Sequence, residues 1–267
     1  MKQFLLILLP VILLINNAAA QGTATDWFNK GVKLNDSARH SAAVTAYERA
    51  IALDANYSDA YYRLGWTYNE LAVYDKAIEK LIKALDLKKT DAFSMQELGY
   101  AYNKKGNYIE ALNYLNKAIY QKPDYARAYK QLGDAYGGLK RNTEAITAYE
   151  KAYSLNNKDE GACYQAGYLY NATEKYELAL SWLNKAVAIK PTVSAYNEMG
   201  FANYKLLKND EAFAGYKNAL LINPKNGTAY KGMGDVYRRN FKPAKTTEAI
   251  EQYKKAVMYN PKSSGSY

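Results

Sequence analysis

Chemistry in a protein begins with a few residue types, and two of the most versatile occur here once each: Cys163 and His40. A lone thiol can form neither an internal disulfide nor a cysteine-rich zinc site. With a single imidazole to accompany it, most metal and nucleophile chemistry is excluded before any motif is sought. No HExxH, GxSxG or phosphate-cradling glycine loop occurs. The chain therefore reads as non-catalytic, with no cofactor and no metal site. The residue in excess is tyrosine, at 28 copies in 267 residues. Where those rings fall decides whether they are chemistry or framework.

Hydrophobic residues make up 49% and charged residues 23%, a globular balance, and only 6 Pro and 16 Gly leave room for long helices. The formal charge is +10. The charges are dispersed singly, with no run of five or more, which reads as a solvated, lysine-rich surface. A nucleic-acid or membrane partner is the competing reading.

The first residues read as an address. Met1-Lys2-Gln3 is a short positive start, residues 4–15 are apolar around Pro10, and Ala18-Ala19-Ala20-Gln21 follows Asn16-Asn17. This pattern predicts a signal peptide over residues 1–20 with cleavage after Ala20, and so an exported, periplasmic or secreted protein. The apolar stretch is shorter than the roughly 20 residues a spanning helix needs. A buried or anchoring N-terminal helix is the alternative. No cysteine follows the cleavage site, so no lipid anchor is expected.

The rest of the chain is organised by repetition. Gly31, Gly65, Gly99, Gly133, Gly167, Gly200 and Gly234 recur at intervals of 34, once 33. Ala43, Ala77, Ala111, Ala145, Ala179, Ala212 and Ala249 keep step until the last, which comes 37 residues later, and Ala50, Ala84, Ala118, Ala152, Ala186, Ala219 and Ala256 do likewise. With the glycine at repeat position eight, position four reads Trp27, Tyr61, Met95, Tyr129, Cys163, Tyr196 and Tyr230. Position eleven reads Leu34, Tyr68, Tyr102, Tyr136, Tyr170, Asn203 and Tyr237. Position twenty-four reads Tyr47, Leu81, Leu115, Tyr149, Leu183, Tyr216 and Tyr253. Proline stands at position thirty-two as Pro123, Pro191, Pro224 and Pro261.

This period and these residues resemble the tetratricopeptide repeat family over residues 24–261. The resemblance implies an all-α fold, a right-handed α-solenoid of about seven helix-turn-helix repeats. These lie near 24–57, 58–91, 92–125, 126–159, 160–192, 193–226 and 227–261, with a short tail at 262–267. The physics agrees with the name. Positions four, seven, eight and eleven share one face of a first helix, and positions twenty, twenty-four and twenty-seven one face of a second. Glycine and alanine let the two approach, large residues fill the space around them, and proline stops the second helix. Tyr74, Tyr108 and Tyr176, in the turn at position seventeen, bring the tyrosines assigned to framework to 16 of the 28. Cys163 falls on a framework position and is expected buried, whereas His40 falls in a turn and is expected exposed.

Three departures stand out. The sixth repeat starts one residue early and places Asn203 where tyrosine recurs, which predicts slight mis-stacking against repeat five. Repeat seven has three extra residues within a basic stretch at 238–245, either an anionic contact site or a solvated loop. Gly137-Gly138 closes the first helix of repeat four, either ending it or leaving a bare patch for a ligand backbone.

The resemblance further implies that the first helices line a concave groove. An aromatic band would lie there: Phe28, Tyr62, Trp66, Tyr100, Tyr164, Tyr168 and Phe201. So would an asparagine ladder, Asn35, Asn69, Asn103 and Asn171, whose amides could meet an extended peptide backbone. The alternative is that positions five and nine pack against the next repeat. The lysine–asparagine pairing that grips a C-terminal carboxylate in one subclass is absent. Lys130 and Lys231 instead face Asp134 and Asp235 as i,i+4 pairs.

The expected function is thus a non-catalytic protein–protein interaction scaffold that binds a protein or peptide of unknown identity. A structural subunit of an envelope assembly, secretion or polysaccharide-export machine is the alternative, and a nucleic-acid-binding helical repeat is less favoured. No membrane span is expected after signal cleavage. Ile250, Tyr253, Val257 and Met258, on a final helix near 247–260, could leave an apolar stripe, which suggests weak self-association through the C-terminal repeat.

Overall fold

The computed structural model describes residues 22–240 and 245–260. The expected signal segment, residues 241–244 of the basic stretch, Pro261 and the tail lie outside the described residues. The described residues form fourteen helices and no strand. In chain order these are α1 (Ala24–Asp36), α2 (His40–Leu53), α3 (Ser58–Glu70), α4 (Tyr74–Leu87), α5 (Ala92–Lys104), α6 (Tyr108–Gln121) and α7 (Ala126–Gly138). There follow α8 (Asn142–Leu155), α9 (Glu160–Ala172), α10 (Tyr176–Ile189), α11 (Val193–Lys205), α12 (Asn209–Ile222), α13 (Gly227–Asn240) and α14 (Thr246–Tyr259). The all-α architecture of paired helices matches expectation.

The helices fall into two compact units that divide between Leu139 and Lys140. In the first, α1 pairs with α2, α3 with α4 and α5 with α6, and α7 packs on α6 and α5. In the second, α8 packs on α9, and α9 pairs with α10, α11 with α12 and α13 with α14. Within each unit, consecutive first helices also touch one another directly, while among the described residues no comparable contact joins consecutive second helices. The first helices are therefore the inner row of each unit and the second helices the splayed outer row.

The predicted small-residue contact is what joins each pair. A Cβ on Gly65 would stand 2.5 Å from Leu81 Cγ, one on Gly167 2.7 Å from Leu183 Cγ, and one on Gly200 2.7 Å from the Tyr216 ring. Position eight thus receives the side chain of position twenty-four. Ala43, Ala50, Ala77, Ala84, Ala179 and Ala186 are fully buried beside these contacts.

Local chemistry sets the helix ends. Several first helices carry side-chain caps: Thr23 Oγ1 accepts from Asp26 N at 3.1 Å, Asp91 from Ser94 N at 2.9 Å, and Asp159 from Ala162 N at 3.0 Å. Second helices are entered differently. Position fifteen is left-handed at Ala38, Ala72, Lys140, Glu174 and Leu207 (φ 55 to 63°) and at Gly106 (φ 78°). Pro123, Pro191 and Pro224 follow the ends of α6, α10 and α12 as expected.

Some placements differ. Tyr74, Tyr108 and Tyr176 are not turn residues but the first residues of second helices. His40 likewise opens α2 and is half-buried, its Nδ1 3.1 Å from Asn35 Oδ1 and its ring against Trp66. The glycine pair falls as expected, Gly137 and Gly138 being the last two residues of α7.

Candidate functional site

The inner row is where the band and ladder were expected, and the structure separates them. The asparagine side chains turn to the next repeat. Asn69 Nδ2 donates to the Glu97 carbonyl at 3.1 Å and to Glu97 Oε2 at 2.9 Å. Asn171 Nδ2 does the same to Glu198, at 3.0 and 2.8 Å. Asn103 Nδ2 donates to the Gln131 carbonyl at 2.8 Å. Asn35 Nδ2 donates to Thr67 Oγ1 at 2.8 Å, and that hydroxyl passes the bond on to the Arg63 carbonyl at 2.7 Å. Position twelve thus clamps the backbone at position six of the following repeat. Donors spent in this way are not open to a peptide backbone, so the ladder is an inter-repeat clamp.

The clamp brings carboxylates inside. Glu97 is 1% exposed and Arg127 Nη2 lies 3.1 Å from its Oε1. Burial still pushes the Glu97 carboxyl above its ordinary range, with Arg127 and the Asn69 amide opposing. Gln96, beside it, donates to Gln131 Oε1 at 2.7 Å and accepts from the Tyr125 hydroxyl at 2.7 Å. Sequence reasoning missed this polar layer, whose only signal is the recurrence of Glu or Gln at position six.

The aromatic band also divides. The position-five rings Phe28, Tyr62 and Tyr164 pack against the cores of their units. Phe28 stands 5.0 Å from Tyr57, and Tyr62 stands 6.5 Å from Phe93, centre to centre. Burial raises the Tyr62 hydroxyl to about 12. The position-nine rings reach further out. Trp66 and Tyr100 are half-buried, whereas Tyr168 is 44% and Phe201 36% exposed. Tyr74 and Tyr176 set the edges of their rings against Tyr100 and Phe201, at 6.5 and 6.2 Å, and so hold the outward row in place. Exposed Phe93 adds a ring at position two that sequence reasoning did not single out.

In the second unit this row borders a cavity of about 520 Å³ among α9, α11 and α13. Tyr168, Phe201 and Tyr204 form its aromatic wall, and Glu198, Asp235 and Glu174 bring carboxylates to it. Lys231 pairs with Asp235 at 3.1 Å, the own-helix pairing expected of it. Asp235 also accepts from the Tyr253 hydroxyl at 2.7 Å. The cavity lies where the sixth repeat departs from the pattern.

Cys163 is fully buried in the framework, and burial raises its thiol to about 11, far from a reactive thiolate. Among the described residues no group of three His, Cys, Asp or Glu could hold a metal ion, and no helix is long and apolar enough to cross a membrane.

Stacked helix pairs with a row of rings on the inner helices define an α-helical repeat scaffold for protein interaction. The chain belongs to the tetratricopeptide repeat family, whose models match residues 91–158, 46–79 and 160–192. Among solved structures, MamA is 29% identical over 60% of this chain and 94% of its own, with a TM-score of 0.55. YrrB, described as a TPR protein with an unusual peptide-binding site, is 26% identical over 66% of this chain and 90% of its own, with a TM-score of 0.53. PilF of Pseudomonas aeruginosa shares the fold at 16% identity, covering 79% of this chain and 97% of its own, with a TM-score of 0.70. No curated protein matches the chain.

Proposed function

We propose that this chain is a non-catalytic scaffold that holds a protein or peptide segment against the inner helices of its units, through the position-nine rings Trp66, Tyr100, Tyr168 and Phe201. One observation carries the reading. Tyr168 and Phe201, on successive inner helices, stay 44% and 36% exposed beside a cavity, where a purely structural ring would be covered. The peptide-binding site named for YrrB supports it. Tyr168→Ala with Phe201→Ala, and Trp66→Ala with Tyr100→Ala, are expected to weaken selection of peptides from a displayed library while the helical circular dichroism is unchanged. Undiminished selection by both double variants would place the binding face elsewhere.

The scaffold acts outside the cytoplasm in this proposal, on the charged-apolar-alanine pattern of residues 1–20. N-terminal sequencing of the mature protein is expected to begin at Gln21, and an envelope-fraction chain starting at Met1 would refute it. Membership of an envelope machine uses the same face and differs only in the partner. A nucleic acid fits less well, because Glu174, Glu198 and Asp235 would meet its phosphates in the second unit.

A further inference from the structure

Glu97 and Glu198 occupy the same place in their repeats, position six of the inner helix. Each is held by the asparagine of the preceding repeat through two bonds, to its carbonyl and to its Oε2. Thirty residues after Glu97 comes Arg127, whose guanidinium answers the buried charge at 3.1 Å. Thirty residues after Glu198 comes Thr228. Among the described residues no cation pairs with Glu198, and burial raises its carboxyl with only the Asn171 amide opposing. The place an arginine fills in the first unit is, in the second, part of the wall of the 520 Å³ cavity, which Thr228 and Glu198 both line.

We propose that this cavity receives the arginine side chain of an extended partner segment, whose guanidinium pairs with Glu198 as Arg127 pairs with Glu97. The inference rests on the reading that the inner helices hold a peptide, and it names the chemistry of that peptide. The volume lies within the range of about 300–1,000 Å³ usual for ligand sites. The wall is rich in acceptors. Asn171 and Asn197 line it, each donating from Nδ2 within the protein, and among the described residues the Oδ1 of each has no hydrogen-bond partner. Three carboxylates line it against two lysines, on a chain of formal charge +10. Of the lysines, Lys231 is occupied by Asp235, and Lys205 lies over the Phe201 ring at 5.4 Å. A guanidinium suits this setting better than an ammonium, because its planar fork meets a carboxylate with two bonds while its face stacks on rings such as Tyr168.

The test is selection of displayed random octapeptides on the full chain, followed by titration of the best peptide and of its arginine-to-citrulline analogue. Arginine is expected to be enriched, and citrulline to weaken binding roughly thirtyfold or more, as for loss of one member of a buried charge pair. Glu198→Gln is expected to abolish the enrichment without harming the fold, since Gln131 stands naturally at the same position. Thr228→Arg is expected to fill the cavity from within, raising the melting temperature and excluding the peptide. Peptides selected without arginine enrichment, equally by wild type and Glu198→Gln, would overturn this inference and leave the binding face standing. No selection at all would overturn both. Ethylguanidinium binding as tightly as the peptide would overturn the peptide as the source of the cation.

Discussion

A carboxylate drawn out of water costs stability unless something answers its charge, and buried Glu97 and half-buried Glu198 differ in what answers. Burial holds both carboxyls above the ordinary range, so the folded chain binds their protons more tightly than the unfolded chain does. Stability from each is therefore greatest below the ordinary carboxylate pKa and is lost as pH rises through the raised one. Glu198→Gln is expected to raise the melting temperature by an amount that grows as pH rises above the ordinary glutamate range. Glu97→Gln should gain less, because Arg127 already offsets part of the cost. A gain independent of pH would show that the effect is not one of charge. The clamp itself is tested by Asn69→Ala, which strips Glu97 of two donors and is expected to cost about 1–3 kcal/mol by denaturant titration.

At the scale of the helix pair, two adjacent glycines should behave oppositely. Gly137 faces open space, so Gly137→Ala is expected to stabilise α7 by up to about 1 kcal/mol. A Cβ on Gly138 would sit inside contact distance of the Tyr108 ring, so Gly138→Ala should lower the melting temperature. Gly99→Leu, which would drive into Leu115, and Ala111→Trp are each expected to cost about 1–3 kcal/mol or more. Pairing within a repeat was legible because glycine, alanine and large residues recur on faces that periodicity alone identifies. Contacts between repeats were not. Asn69 and Asn171 are polar and lie on the inner helix, so they read as groove groups. Their partners are carbonyls and carboxylates 27 or 28 residues away, and no side-chain pattern along one helix reveals those. The cavity was hidden for the same reason: Thr228 means little until it is compared with Arg127, which holds the same repeat position three repeats earlier.

At the scale of the whole molecule, the last described helix leaves Ile250, Val257 and Met258 48%, 40% and 71% exposed, while Tyr253 is tied inward to Asp235. Wild type is expected to show weak concentration-dependent mass in ultracentrifugation, lost in Val257→Lys with Met258→Lys. A mass that stays monomeric at high concentration would remove self-association through this edge.

The left-handed turns have a consequence for engineering. Ala38, Ala72, Lys140 and Leu207 hold a conformation that costs an L-residue roughly 1–2 kcal/mol, and Gly106 shows that the same turn accepts glycine. Even after the entropy glycine adds to the unfolded chain, each replacement should return a few tenths of a kcal/mol to about 1 kcal/mol. Leu207, 68% exposed, has little packing to forfeit. Glu174 is best left, since it lines the cavity. The turns recur one repeat apart and share no partners, so their gains should sum. This repetition gives the scaffold an untapped thermal reserve, enough to absorb a destabilising redesign of its ring-bearing face.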